Sequence, residues 1–180
     1  MGARGVMPDM RTILPLVGNP QSASRTRLVA EELAAAIAGR AGAEVLPTID
    51  LADHAQRLFA FPEPTIERLL ADVVTADLVI VASPTYKASY TGLLKAFLDR
   101  YGTRGLAGVT AVPVLTIGSP AHTLAVDFTL RPLLVELGAS VPTAGLAFQA
   151  AEVDERRAVL SEWLDTQWPA LGPHLTGGSQ

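Results

Sequence analysis

Hydroxyls, arginines and small residues gather in three stretches of this sequence. Gly18 to Arg27 (GNPQSASRTR) sets Ser22, Ser24 and Thr26 beside Arg25 and Arg27, just ahead of an amphipathic segment. A dianionic phosphate requires oriented N–H donors, the positive end of a helix dipole and charge-assisted bonds from arginine. An ordinary helix cap uses the same serines and threonines, so on this stretch alone both readings stand. The second stretch, Ser83 to Tyr90 (SPTYKASY), carries hydroxyls at Ser83, Thr85, Tyr86, Ser89 and Tyr90, together with Lys87. Backbone amides after Pro84 can bond the heteroatoms of a flat ring, and Tyr86 can cover its face or edge. For Tyr86 and Tyr90 the plainer role is packing with the hydroxyl turned to water. The third stretch, Thr116 to His122 (TIGSPAH), offers Gly118 for close backbone approach to a planar ligand and Ser119 as a hydroxyl.

Several chemistries are excluded by what is missing. No GK[ST] follows the first stretch, and no GxGxxG occurs anywhere, so the phosphate reading points to a mononucleotide held by hydroxyls. Ser119, His122 and Asp127 invite comparison with a hydrolase triad, but there is no GxSxG elbow. With no cysteine there is no thiolate nucleophile, and His54, His122 and His174 are too scattered for a metal spacing. A net charge of −4 argues against a nucleic-acid protein, which presents a basic face. The leader MGARGVMPDMRT lacks the apolar core of a secretory signal, and no run approaches a membrane span. The expected location is the cytoplasm.

The elements that must position these stretches alternate regularly. Apolar runs at Thr12–Val17, Ala43–Ile49, Leu78–Ala82, Val109–Ile117 and Val141–Phe148 read as five strands. Between them lie helical periodicities: Val29, Leu33, Ala36 and Ile37, ending near Gly39; Ile66, Leu69, Leu70 and Val73, starting at Thr65; and Leu93, Leu94, Phe97, Leu98 and Tyr101. His122–Leu137 and Glu152–Leu171 complete the set. Strict α/β alternation predicts one doubly wound, five-stranded parallel sheet in the order 2-1-3-4-5, with helices on both faces. In that order the loops after strands one, three and four open on one edge. The domain is expected to span residues 11–173, with frayed ends at 1–10 and 176–180.

With SPTYKASYTGLLK and GSPAHTLAVDFTLRPLL in view, the chain resembles the NAD(P)H-dependent FMN reductase family from about Ile13 to Phe148. In appearance it is nearest to the flavin reductases that supply bacterial FMN-dependent sulfonate monooxygenases. The resemblance implies a flavodoxin-like fold, FMN and NADPH or NADH as ligands, and a monooxygenase partner that takes reduced FMN. It matches Ser22, Ser24, Arg25 and Thr26 to a phosphate loop. Pro84, Thr85, Tyr86 and Lys87 match the loop beside the isoalloxazine, and Gly118 and Ser119 a third contact. Asn19 stands where the family often has serine, and Ile117 replaces the first of a common glycine pair. An FMN-retaining quinone or azo reductase, a flavodoxin-type electron carrier and a flavin-free scaffold are the alternative readings.

Pro132 has no N–H, so the carbonyl of Phe128 loses its helical partner and a kink or π-bulge is expected there. Relatives often carry a wide turn here with tyrosine or histidine, and Phe128 keeps the ring without the hydroxyl. Apolar residues surround this helix (Leu124, Val126, Phe128, Leu130, Leu133, Leu134, Val135 and Leu137). One buried face cannot absorb them all, which predicts a homodimer or homotetramer interface.

Overall fold

Alternation along β1 (Thr12–Val17) sends Ile13 and Val17 to one face of a sheet and Leu14 and Leu16 to the other, and all four are buried. The computed structural model describes residues 10–176, and the same division holds through β4 (Leu78–Pro84) and β5 (Thr110–Ile117). On one face α1 (Arg25–Ala41) and α5 (Arg156–Leu171) bury Val29, Leu33, Ile37, Leu160 and Leu164. On the other, α2 (Pro64–Thr75), α3 (Gly92–Leu98) and α4 (Arg131–Glu136) bury Ile66, Val73, Leu94, Phe97 and Leu134. Two covered faces are what near-continuous apolar strands demand.

All strand pairings are parallel, and β2 (Glu44–Val45) and β3 (Ile49–Asp50) both pair with β1. With β6 (Leu146–Gln149) the path is β2-β1-β4-β5-β6, so the expected order 2-1-3-4-5 holds once the second strand is seen to be split. The split has a cause. Between the pairs Ile13–Val45 and Leu16–Ile49, β1 has two residues, one of them Pro15, and its partner has three, one of them Pro47. An extra residue with a proline on each side breaks the ladder into a bulge.

Other boundaries move for equally local reasons. α1 does not stop near Gly39 but runs to Gly42, whose left-handed φ of 68° closes it with a bond from its N–H to the Ala38 carbonyl. β4 continues through Ser83 and Pro84, paired with Leu115 and Thr116. β1 last pairs with β4 at Ala82, so the missing N–H of Pro84 breaks no ladder on that side. Tyr101 lies beyond α3, its hydroxyl donating to the Leu70 carbonyl, and burial raises its pKa well above the ordinary tyrosine value. The last strand is four residues long rather than eight, and a 3-10 turn at Ala150–Glu155 precedes α5. Apart from Met10 and Thr176, the expected frayed ends fall outside the described residues.

The predicted wide turn is present. Val126–Leu130 is a π-helical segment in which the Arg131 N–H reaches back to the Val126 carbonyl. The Thr129 hydroxyl donates to the Ala125 carbonyl at 2.6 Å, and Asp127 accepts from Arg131 Nε and from the Gly145 N–H. Among the described residues no helix is long and apolar enough to cross a membrane.

The strand entrances are pinned by Asp77, which accepts from the Thr12 N–H at 2.9 Å and the Thr12 hydroxyl at 3.1 Å, and pairs with Arg11. Burial works to raise its pKa, but these donors outweigh it and the net direction is down. A lowered folded pKa means the contribution is present above the unfolded value of about 3.9 and is lost as pH falls through the folded one. Asp77→Asn is expected to cost about 1 kcal/mol at pH 7, a Tm decrease of roughly 2–4 °C. Thermal melts across pH should show the gap to the unsubstituted protein closing below about pH 4.

Candidate functional site

The parallel sheet puts the ends of β1, β4 and β5 on one edge, and a cleft of about 440 Å³ opens there. Its walls are Asn19, Gln21, Ser24, Arg25 and Thr26 from the first loop, Pro84, Thr85 and Tyr86 from the second, Thr116, Ile117 and Gly118 from the third, and Ala150. Seven of the ten site residues expected from sequence therefore line one cavity. Ser22, Lys87 and Ser119 belong to the same loops but are not part of its walls. Asn19 and Ile117, named from sequence only as departures from the family pattern, line it too, as do Gln21, Thr116 and Ala150, which carry no sequence assignment. Thr116 had a legible signal, a hydroxyl closing an otherwise apolar strand, whereas Ala150 had none.

A chain of buried polar bonds fixes the walls. Asn19 Nδ2 donates to Thr26 Oγ1 at 3.1 Å, and Thr26 Oγ1 is hydrogen-bonded to Thr116 Oγ1 at 2.8 Å. Asn19 Oδ1 accepts from the Gln21 N–H, so the residue that departs from the family's usual serine holds the loop itself. The Thr85 N–H donates to the Thr116 carbonyl at 2.9 Å, tying the second loop to the third. On the other side Thr91 caps α3 and donates to the Gly18 carbonyl, while its own N–H is taken by Ser83 Oγ. Ser83, fully buried, is thus a staple rather than a ligand group.

Ser24 caps α1, accepting from the Arg27 N–H at 3.2 Å. The first turn of α1 contains no acidic residue, so its remaining N–H groups and dipole face the cleft without a carboxylate. The two arginines part company here. Arg27 bonds Glu31 at 2.8 Å and lies 3.6 Å from Asp50; that hydrogen bond first, then the Glu31 charge, raises its pKa above the ordinary arginine value. Arg25 is exposed on the cleft wall and has no ion-pair partner among the described residues. No acidic residue lines the cleft.

Two features call for a ligand. Thr85 Oγ1 is buried without a hydrogen-bond partner, a costly state unless something in the cleft completes it. A Cβ built on Gly118 meets nothing within 4 Å, so its lack of a side chain serves open cleft rather than packing. Gly18 is the opposite case, because a Cβ there would sit 2.5 Å from Leu94 Cβ. The hydrolase reading finds no support: Ser119 Oγ accepts from the Ala121 N–H, and Asp127 is held by Arg131 and Gly145.

The second loop is a tight hairpin. Tyr86 and Ser89 exchange backbone bonds of 2.8 and 3.2 Å around Lys87 and Ala88, both with positive φ (52° and 63°). That is a type I′ turn, which favours Asn-Gly, and each β-carbon-bearing residue forced into it costs roughly 1–2 kcal/mol. Ala23, in the first loop, also has positive φ. Three of the four such residues among those described therefore sit on the ligand loops, where strain marks a functional constraint.

Fold and cleft together define a flavodoxin-like α/β protein with an open cleft at the strand ends. The model of the NADPH-dependent FMN reductase family matches residues 11–152, and the chain belongs to that family. It is 34% identical over 148 residues to the FMN reductase (NADPH) of Pseudomonas putida strain KT2440, covering 78% of this chain and 72% of that one. With the NADH-dependent FMN reductase SfnF of Pseudomonas fluorescens strain Pf0-1 it shares 35% identity over 175 residues, 91% of this chain and 93% of the relative. The apo crystal structure of the NADH:FMN oxidoreductase EMOB superposes with a TM-score of 0.80 at 31% identity, covering 95% and 92% of the two chains.

The two glycines predict opposite outcomes. Gly18→Ala should lower stability by about 1–3 kcal/mol because the loop cannot back away from α3. Gly118→Ala should leave the melting temperature nearly unchanged while weakening FMN binding, read by quenching of flavin fluorescence.

Proposed function

We infer that this chain reduces FMN with NAD(P)H, as its family does, and that residues 11–173 form the single domain that binds the flavin. The observation that carries the reading is the carboxylate-free cleft, which joins an uncompensated helix N-terminus, a free arginine and an orphaned hydroxyl. The first-turn amides of α1, with Arg25 and Ser22, take the FMN phosphate, while Ser24 and Thr26 hold the loop that presents them. Pro84, Thr85 and Tyr86 flank the ring system, Thr85 Oγ1 supplying a bond to a ring heteroatom. Gly118 and Ser119 close the third side, and Lys87 stands at the rim.

Bound together, FMN and NAD(P)H supply the redox chemistry between themselves, a hydride passing from the nicotinamide to N5 of the flavin. The protein's task is to align the two rings and present donors to developing negative charge. That needs no side-chain acid, in keeping with the lack of a proton-transferring pair in the cleft walls.

The exposed apolar residues Leu124, Phe128 and Val135, 55–73% accessible, support assembly with further copies of this chain around the π-helix. Delivery of reduced FMN to a monooxygenase in the cytoplasm rests on the family resemblance.

The test is NADPH and NADH oxidation at 340 nm with increasing free FMN. A rate that rises and saturates with FMN is expected; retention of FMN through gel filtration with turnover only on a quinone or azo dye would replace the reductase by a fixed flavoprotein. Arg25→Ala should weaken FMN binding by about tenfold, the size of one lost charge-assisted bond. An unchanged affinity would sink the phosphate assignment.

A further inference from the structure

The hairpin tip has a use that FMN binding does not absorb. Lys87 follows directly on the cleft wall formed by Pro84, Thr85 and Tyr86, at the end of the central strand β4. It is exposed and unpaired among the described residues, whereas the chain's other lysine, Lys95, is tied to Asp99. Its backbone is strained, and so is that of Ala88, although Asn-Gly would form the same turn without strain. The hairpin bonds between Tyr86 and Ser89, and the anchor from the Thr85 N–H to Thr116, hold it in place. The geometry therefore keeps an ammonium group at the cleft rim at a cost in stability.

What that cation meets follows from a count of phosphates. FMN brings one, and the α1 N-terminus with Arg25 accounts for it on the far loop. A reduced dinucleotide laid over the flavin ring brings a pyrophosphate, and NADPH adds a 2′-phosphate, to a cleft with one arginine in its walls. Lysine binds phosphate as a mobile point charge, which suits a group at a solvent-exposed rim.

We propose that Lys87 binds a phosphate of the reduced nicotinamide dinucleotide, so that the strained tip at Lys87 and Ala88 recognises the dinucleotide while Pro84, Thr85 and Tyr86 flank the flavin. The assignment rests on the FMN reductase reading.

Lys87→Asn tests it, because asparagine tolerates positive φ while the charge is lost. Lys87→Arg serves as the charge-retaining control. With the Asn variant the melting temperature should hold or rise, and the FMN dissociation constant should stay within about twofold. The KM for the dinucleotide should rise about three- to tenfold and carry the loss in kcat/KM. A rise for NADPH alone assigns the 2′-phosphate, and an equal rise for NADH assigns the pyrophosphate. The salt dependence of KM should flatten in the Asn variant and be restored in the Arg variant. Unchanged KM for both dinucleotides, or a weakened FMN affinity that accounts for the loss, overturns the proposal. If the unsubstituted protein binds FMN but oxidises neither dinucleotide, the reductase reading itself fails, an outcome distinct from an unchanged KM in an active enzyme.

Discussion

Thr26 and Thr116 share a hydroxyl–hydroxyl bond of 2.8 Å across ninety residues of chain, buried beneath the cleft. Each threonine makes a second bond, Thr26 through its hydroxyl and Thr116 through its carbonyl. Thr26 also receives Asn19, which fixes the turn before α1, and the Thr116 carbonyl receives the N–H of Thr85. Removing either hydroxyl would leave a buried partner unsatisfied, a larger cost than the net worth of the bond itself. The three loops are thus held to one another as well as to the sheet. The Gly18–Thr91–Ser83 staple does the same for the join between β1, β4 and α3. Preorganisation of this kind lets a protein align two bound rings for transfer between them.

The π-helical turn shows the same economy of cause. Pro132 removes one donor, the Arg131 N–H reaches one residue further back, and Thr129 satisfies the Ala125 carbonyl with its side chain. The widened turn rotates Phe128 outward to 73% exposure while Val126 and Leu130 stay buried. Asp127 holds this geometry from the side, and Gly145 is required there because a Cβ would come within 2.6 Å of Val126. A backbone defect at one proline thus accompanies an aromatic ring exposed on the surface.

Much of this was legible in the residues. Apolar runs on both faces signalled buried parallel strands, and alternation with amphipathic segments fixed their order, because parallel neighbours need crossovers. Pro132 announced the wide turn, since a missing N–H is a property of the residue itself. The split of the second strand was harder to see. Its cause is a register mismatch between the Ile13–Val45 and Leu16–Ile49 pairs, and register is a relation between two strands rather than a feature of one. The division of labour between Arg25 and Arg27 was equally hidden: Arg27 meets Glu31 one helical turn away, but Asp50 comes from another strand. Ser24 and Ser83 show the limit of counting hydroxyls, since both are engaged by backbone amides within the fold.

Charge distribution adds a constraint that no single contact supplies. The chain is acidic at −4, and a polyanionic ligand approaching it meets net repulsion at long range. Within about a Debye length, roughly 8 Å at physiological salt, the local pattern dominates. There the cleft walls carry Arg25, the first turn of α1 carries no acid, and Arg27 screens Asp50 and Glu31 from behind. An acidic protein can therefore attract a phosphorylated ligand at one edge while discouraging adhesion elsewhere. Most of the backbone strain among the described residues lies on that edge too, at Ala23, Lys87 and Ala88. Relaxing it with glycine would stabilise the fold, yet at Lys87 it would also remove a positive charge from the rim, so stability and recognition pull on the same residue.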